Sequence, residues 1–295
     1  MPDPRFVLPP AARGRRLHGA ALMLAAMLAG CATPTPPSPE PSAGGQGGWQ
    51  GPGQGHVPDF ARRSFAPFGR ADAVAIAQQE WRAFGEPIDD DPPGTRPPPP
   101  PELKPERMAG LWQRVGEYWW ISQDNGEPEA SWTGMHDASG AVFPAREDAN
   151  YAWSAAFISY VMRIAGAGYR FPYSQSHYDY INIARRASLG EAGNWAIVAE
   201  RLDSYAPQPG DLICTSRTSR PIRFEDLPTS RPFPAHCDIV VSTGSMLSVI
   251  GGNVDDAVTL KHVPVTLDGR LAPPGGPPLD TRYPWFVVLR VLYDQ

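Results

Sequence analysis

The chain has 295 residues, of which 42% are hydrophobic, which is enough for one large domain or two small ones with a real core. Its 36 prolines and 29 glycines lie far above average usage and cluster, which indicates low-complexity segments beside the folded part. The formal net charge of −5 gives no overall electrostatic case for binding nucleic acid. We therefore expect no nucleic-acid partner, and the composition does not predict an oligomeric state.

The N-terminal segment, 1–30, has the features of an export signal. A basic stretch, R-G-R-R at 13–16, precedes an apolar run at 20–28 that is too short to span a bilayer. The run ends in L-A-G-C, which resembles the lipobox of bacterial lipoproteins. That resemblance implies cleavage before Cys31 and lipidation of this residue, giving a membrane anchor made of several acyl chains. It also implies a place in the bacterial cell envelope, and Ala32 implies the periplasmic face of the outer membrane.

After the lipobox, the chain from 33 to about 58 is rich in Pro, Gly and Ser and has almost no aliphatic residues. Such a composition cannot bury enough apolar surface to fold. We predict a flexible tether at 31–69, which links the membrane anchor to a folded domain at 70–295.

Apolar residues at spacings of three and four predict five helices in the first two thirds of the domain. These are 71–84, 106–121, 148–166, 180–188 and 191–205. From residue 207 onward, the pattern of residues predicts strands. A turn followed by a strand is predicted at 207–214, and further strands are predicted at 236–242, 246–250, 257–263 and 285–293. Helices first and strands later predict an α+β fold with an antiparallel sheet.

Asp148 and Asn150 are N-cap residue types, so the helix predicted within 148–166 would carry Ser154 in its first turn. There, unpaired backbone N–H groups and the positive end of the helix dipole favour a developing negative charge. A nucleophile held at the start of a buried helix is a recurring device of hydrolases. Serine is also common at helix starts as a capping residue, so this stretch alone leaves a plain capping role open.

Four motifs follow one another along the domain. They are W-S-A-A-F at 153–157, P-G-D-L at 209–212, H-C-D-I-V-V at 236–241 and I-G-G-N-V at 250–254. Their order resembles NlpC-type and CHAP (cysteine-, histidine-dependent amidohydrolase/peptidase) cell-wall hydrolases. In those papain-like folds a helix N-terminus carries Cys, and the adjacent sheet carries His and a polar third residue. The region 70–295 also resembles a bacterial lipoprotein family, the domain of unknown function 2272.

The resemblance to cell-wall hydrolases implies hydrolysis of peptidoglycan amide or ester bonds. It places Ser154 in the nucleophile slot, His236 in the base slot and Asn253 in the orienting slot. The nucleophile slot normally holds Cys, whose thiolate is reachable near neutral pH, whereas a serine hydroxyl needs a base during attack. Asp238 lies two residues along the strand from His236, on the same face, and is a second candidate for the orienting group. We expect neither a metal ion nor a cofactor.

Three aromatic residues, Trp132, Trp153 and Tyr178, could stack on sugar faces in the same groove or could pack the core. A polar insert at 215–234 carries four arginines. They could meet carboxylates on peptide stems, or the insert could be a solvated loop.

Two cysteines remain once the lipobox cysteine is set aside, and they are Cys214 and Cys237. Their strands are neighbours in the resembling fold, which implies a cross-strand disulfide in an oxidising periplasm. Two buried free thiols are the alternative.

Two functions therefore stay open from the sequence. The first is an envelope hydrolase, and the second is a non-catalytic lipoprotein that binds peptidoglycan or a partner protein through the same groove. Ser154 is compatible with both.

Overall fold

A computed structural model describes residues 66–122, 134–137, 139–191 and 193–294. Within these ranges the chain forms four α-helices and one six-stranded sheet. The helices are α1 (Arg70–Ala83), α2 (Leu111–Ile121), α3 (Ser154–Ile164) and α4 (His177–Ser188). The strands are β1 (Ile197–Glu200), β2 (Leu212–Ser216), β3 (Ala235–Ser242), β4 (Met246–Val254), β5 (Ala257–Pro264) and β6 (Trp285–Val291).

Several features predicted from the sequence lie outside the described residues. This holds for the signal segment, Cys31, nearly all of the tether and Trp132. In the ranges that are described, no helix combines the length and apolar character needed to cross a bilayer.

The sheet has the strand order β1-β6-β2-β3-β4-β5, and every neighbouring pair is antiparallel. The predicted α+β class with an antiparallel sheet is therefore confirmed. Side chains alternate between the two faces of a strand, so β3 contributes residues to two separate hydrophobic cores. Cys237 and Ile239 belong to the core that the helices cover, whereas Val240 belongs to a smaller core on the other face.

Helix α3 lies centrally because almost all of it is apolar. Nine of its eleven residues, from Ser154 to Met162, are buried, and the helix packs on β3 and β4. It begins six residues later than predicted, since the preceding residues form a short 3₁₀ helix, Ala145–Tyr151. Asp148 does not cap α3, because its carboxylate pairs with Lys104 (2.8 Å) and Arg107 (2.6 Å).

The helix predicted at 191–205 is wrong. That segment contains β1, which pairs with β6 through Ile197↔Val291 and the three following positions. The hydrogen bonds of an open sheet edge outweigh a weak helical spacing here. Helix α2 is also shorter than predicted, because Gly110 takes a φ of 88° just before it begins.

Candidate functional site

Two helix N-termini meet at Ser154. This residue is the first of α3, and His177 is the first of α4. The Ser154 Oγ atom lies 2.7 Å from His177 Nε2, and both side chains are buried. The other ring nitrogen, Nδ1 of His177, shares a hydrogen bond with the hydroxyl of Tyr180. A continuous polar chain therefore runs from Tyr180 through His177 to Ser154.

Burial lowers the pKa of His177 well below its usual value, and the neighbouring His236 and Arg217 lower it further. The ring is therefore neutral at pH 7. A neutral imidazole has one donor and one acceptor nitrogen. The two hydrogen bonds of His177 can satisfy both.

The expected partner of Ser154 was His236, and this expectation needs a correction. In the described residues the Ser154 hydroxyl pairs with His177 and not with His236. His177 was not a candidate residue because it precedes the helix predicted at 180–188. A usable signal was present: Ser176 is a typical N-cap residue, and apolar spacing through Tyr180 extends one turn back to His177.

His236 belongs to a second network, which is ionic. Its Nε2 atom lies 2.9 Å from Asp238 Oδ1, and Asp238 Oδ2 lies 2.8 Å from Lys261 Nζ. All three side chains are at most 2% exposed. Lys261 was not among the predicted site residues. It lies on β5, and its Nζ atom is 5.0 Å from the centroid of the Tyr283 ring.

The charges of this network fix the tautomer of His236. Burial lowers the pKa of His236 to about 4, although Asp238 opposes the shift, so the ring is neutral at pH 7. Burial by itself would raise the pKa of Asp238, but Lys261 and His236 hold it well below its usual range. An ionised carboxylate only accepts hydrogen bonds, so Nε2 of His236 donates and Nδ1 carries a lone pair.

Two glycines of β4 leave room for close packing on the two faces of the strand. A Cβ atom on Gly251 would lie 1.9 Å from Asp238 Oδ1 and 2.8 Å from His236 Nε2. A Cβ atom on Gly252 would lie 2.6 Å from Phe157 Cβ on α3. The I-G-G-N-V motif thus admits a buried ion pair on one face of the strand and a helix on the other.

The two networks are neighbours. The rings of His177 and His236 lie edge to face with their centroids 5.5 Å apart. Asn253, the other orienting candidate, lies at a register shift of β4 with a φ of 55°. The described hydrogen bonds join His236 to Asp238 and not to Asn253.

A cleft of about 1030 Å³ opens beside the ionic network. Its walls include His236, Asn253, Lys261 and Arg217, together with a proline-rich stretch at 92–99. Ser154 and His177 are not among the described residues that line it.

A disulfide fixes the strands beside this cleft. Cys214 and Cys237 are bonded through their sulfur atoms, and they are direct partners in the β2–β3 register. The next pair in that register is Thr215 with His236. Closing a loop of this length stabilises a chain by about 3 kcal/mol in the chain-entropy model. The bond therefore holds His236 in register with β2.

Two of the three candidate aromatic residues, Trp153 and Tyr178, lie in the described ranges, and both pack against other side chains. Trp153 is 1% exposed, and its Nε1 atom donates to Glu106 Oε2 at 2.7 Å, so it cannot stack on a sugar in this structure. Tyr178 is half-buried, edge-on against Phe233 of the polar insert at 5.6 Å.

The described residues hold no group of three or more His, Cys, Asp and Glu side chains that could bind a metal ion. What the fold and the site define is an α+β protein with a neutral Ser–His pair beside a buried His–Asp–Lys network. This chain belongs to the bacterial family described as "Uncharacterized protein conserved in bacteria (DUF2272)", whose model matches residues 106–291. The matched region contains both networks. The chain matches no curated protein and no solved structure.

Proposed function

We propose that this protein is an acyl hydrolase of the bacterial cell envelope, acting on amide or ester bonds of peptidoglycan. Ser154 is the nucleophile, and His177 takes the base role that the resemblance gave to His236. The observation that carries the proposal is the 2.7 Å contact between Ser154 Oγ and His177 Nε2 at the first residue of a buried helix.

The tautomer of His177 suits this role. With its proton on Nδ1, the ring donates to the Tyr180 oxygen, which leaves Nε2 free to accept the Ser154 proton. Attack of Oγ on an acyl carbon then produces an oxyanion. Unpaired backbone N–H groups in the first turn of α3 can stabilise that charge. The protonated ring returns its proton to the leaving group, and water hydrolyses the acyl-serine.

The proposed envelope location rests on the lipobox at 28–31. The finer fold assignment, a papain-like arrangement, is supported by a nucleophile helix that packs on the strand carrying His236. Peptidoglycan as substrate is supported by the four ordered motifs that resemble cell-wall hydrolases. An ester substrate suits a serine nucleophile better than an amide does.

The test uses the full chain with a fluorophosphonate probe and with purified sacculi. We expect the probe to label Ser154 and the sacculi to release soluble fragments. Both signals should vanish in Ser154→Ala. They should persist in Ser159→Ala, since Ser159 is a buried serine of the same helix that bonds to Ser174 instead of a histidine. Absence of both signals from the unmodified chain would exclude the proposal.

A binding role is the second candidate, and the cleft favours it. The cleft's walls contain His236 and Asn253 but not the Ser–His pair. In that case the chain should sediment with sacculi without cleaving them, and Ser154→Ala should bind equally well.

The membrane anchor is tested separately. Cys31→Ser should leave an unacylated precursor that still carries its signal segment. Unchanged processing and membrane fractionation in this variant would contradict the anchor.

A further inference from the structure

Two buried polar atoms on residues that line the cleft have no hydrogen-bond partner among the described residues. They are Thr215 Oγ1 and His236 Nδ1. Thr215 is 3% exposed and His236 is 1% exposed, and the two residues face each other in the β2–β3 register. Both line the cleft. Buried polar groups are nearly always paired, so two adjacent exceptions in the lining of one cavity mark a place where a ligand could supply the partners.

Arg217 adds an unpaired positive charge to the lining of the cleft. It is exposed, lines the same cleft and follows Thr215 by two residues. The described residues offer no ion-pair partner to its side chain, whereas the other cations that line the cleft are paired. These pairs are Arg96 with Asp89, Lys104 with Asp256, Lys261 with Asp238, and Arg282 with Asp280.

The free groups define the chemistry of a ligand. Because Nε2 of His236 donates to Asp238, its Nδ1 atom needs an N–H or O–H donor from outside. The Arg217 guanidinium needs an anion and is well shaped for a carboxylate. The hydroxyl of Thr215 can donate or accept, and it lies beside His236 in the register.

A peptide C-terminus presents both required groups within one residue, namely a backbone N–H and a terminal carboxylate. We propose that the cleft binds the C-terminal end of a short peptide. The carboxylate contacts Arg217 and the Thr215 hydroxyl, and the last backbone N–H donates to Nδ1 of His236. A volume of about 1030 Å³ accommodates a ligand of a few residues. This inference rests on the cleft and does not require the chemistry of Ser154.

The experiment measures binding by calorimetry with the full chain carrying Ser154→Ala, so that no turnover interferes. The probes are N-acetylated trialanine peptides that end in L- or D-alanine, each as the free carboxylate and as the amide. We expect at least one carboxylate form to bind tenfold or more tightly than its amide, which corresponds to about 1.4 kcal/mol.

Two arginine variants provide the matched comparison. Arg217→Gln should remove the preference for the carboxylate, whereas Arg220→Gln should keep it, since Arg220 is exposed on the same insert but does not line the cleft. Thr215→Val should weaken binding of the carboxylate form. Acetate should compete weakly with the peptide.

Three outcomes would overturn the proposal. They are equal affinity for carboxylate and amide, no binding of any probe, and an unchanged preference in Arg217→Gln. Displacement by inorganic phosphate at lower concentration than by the peptide would also overturn it, in favour of a simple anion site. Fluorophosphonate labelling of Ser154 in the unmodified chain is independent of all these outcomes, so failure of the hydrolase proposal is recognised separately.

Discussion

Two histidines with ring centroids 5.5 Å apart belong to networks of opposite character. His177 connects two hydroxyl groups, those of Ser154 and Tyr180, and this network has no formal charge. His236 is instead coupled to a buried ion pair, Asp238 with Lys261. The first network can pass a proton along its length. The second holds one ring in one tautomer beside a cleft.

The two histidines therefore differ in what surrounds them, although their rings are neighbours. A buried ion pair costs desolvation and contributes little net stability, but it fixes the orientation of what it contacts. A neutral hydrogen-bonded chain is less costly to bury. In the proposed hydrolase, this contrast favours His177 as the base and His236 as the residue that orients a ligand.

The largest expected effect separates the two rings in catalysis. We expect His177→Gln to slow acylation of Ser154 by about 10²–10⁴-fold, the usual contribution of a general base. His236→Gln should slow it much less, since Gln can still donate to Asp238 and no described hydrogen bond joins His236 to Ser154. The measurement is the rate of fluorophosphonate labelling at saturating probe. A greater loss in His236→Gln would reverse the assignment.

The next effect separates the networks in stability. Lys261→Met leaves the Asp238 carboxylate buried without a cation, which typically costs 3–5 kcal/mol in the free energy of unfolding. Tyr180→Phe removes one hydrogen bond to His177 and should cost about 1–2 kcal/mol. Urea unfolding of both variants measures the difference. Similar losses in the two variants would show that the ionic network is no more demanding than the neutral one.

The same contrast explains what the sequence could predict. Asp238 was a candidate partner for His236 because i and i+2 on a strand share a face, which is a purely local rule. The pairing of Cys214 with Cys237 also follows strand adjacency, which the family resemblance supplied. Such inferences need only the strand and its neighbour.

The link from Ser154 to His177 could not be obtained in this way. The two residues are 23 positions apart on different helices, and their contact depends on how both helices dock on the sheet. Lys261 was missed for a related reason. It lies on β5, and Asp238 lies on β3, so their side chains meet across the intervening strand β4. The contact is possible because Gly251 of β4 has no side chain there.

A third prediction uses pH. The fold favours neutral His236, whose pKa is about 4 against 6.5 when unfolded. As pH falls below about 6.5, the unfolded chain binds a proton that the folded chain does not, so stability decreases until about pH 4. The decrease in the free energy of unfolding due to His236 is about 3 kcal/mol by pH 4. Above pH 6.5, His236 does not change the stability.

His177 acts in the same direction, since its pKa is lowered as well. Burial raises the pKa of Glu106 to about 8. As pH rises above the pKa of Glu106 in the unfolded chain, this residue lowers the stability, which is the opposite trend. The part due to His236 is therefore measured as the difference between the unmodified chain and His236→Gln, by urea unfolding at several pH values. Parallel stability curves for the two proteins would contradict the assignment.

The smallest effect, and the sharpest comparison, comes from the two adjacent glycines. A methyl group at either position overfills a packed interior, which usually costs about 1–3 kcal/mol. Gly251→Ala would push against Asp238 and His236, whereas Gly252→Ala would push against Phe157 and Trp153 at the start of α3. The two variants should be destabilised by similar amounts but lose different properties.

Gly251→Ala should flatten the pH dependence due to His236 and weaken peptide binding, with labelling of Ser154 largely kept. Gly252→Ala should slow labelling of Ser154 and keep the pH dependence. If both variants lost both properties together, the two networks would form one cooperative unit, and the division of tasks between the histidines would be wrong.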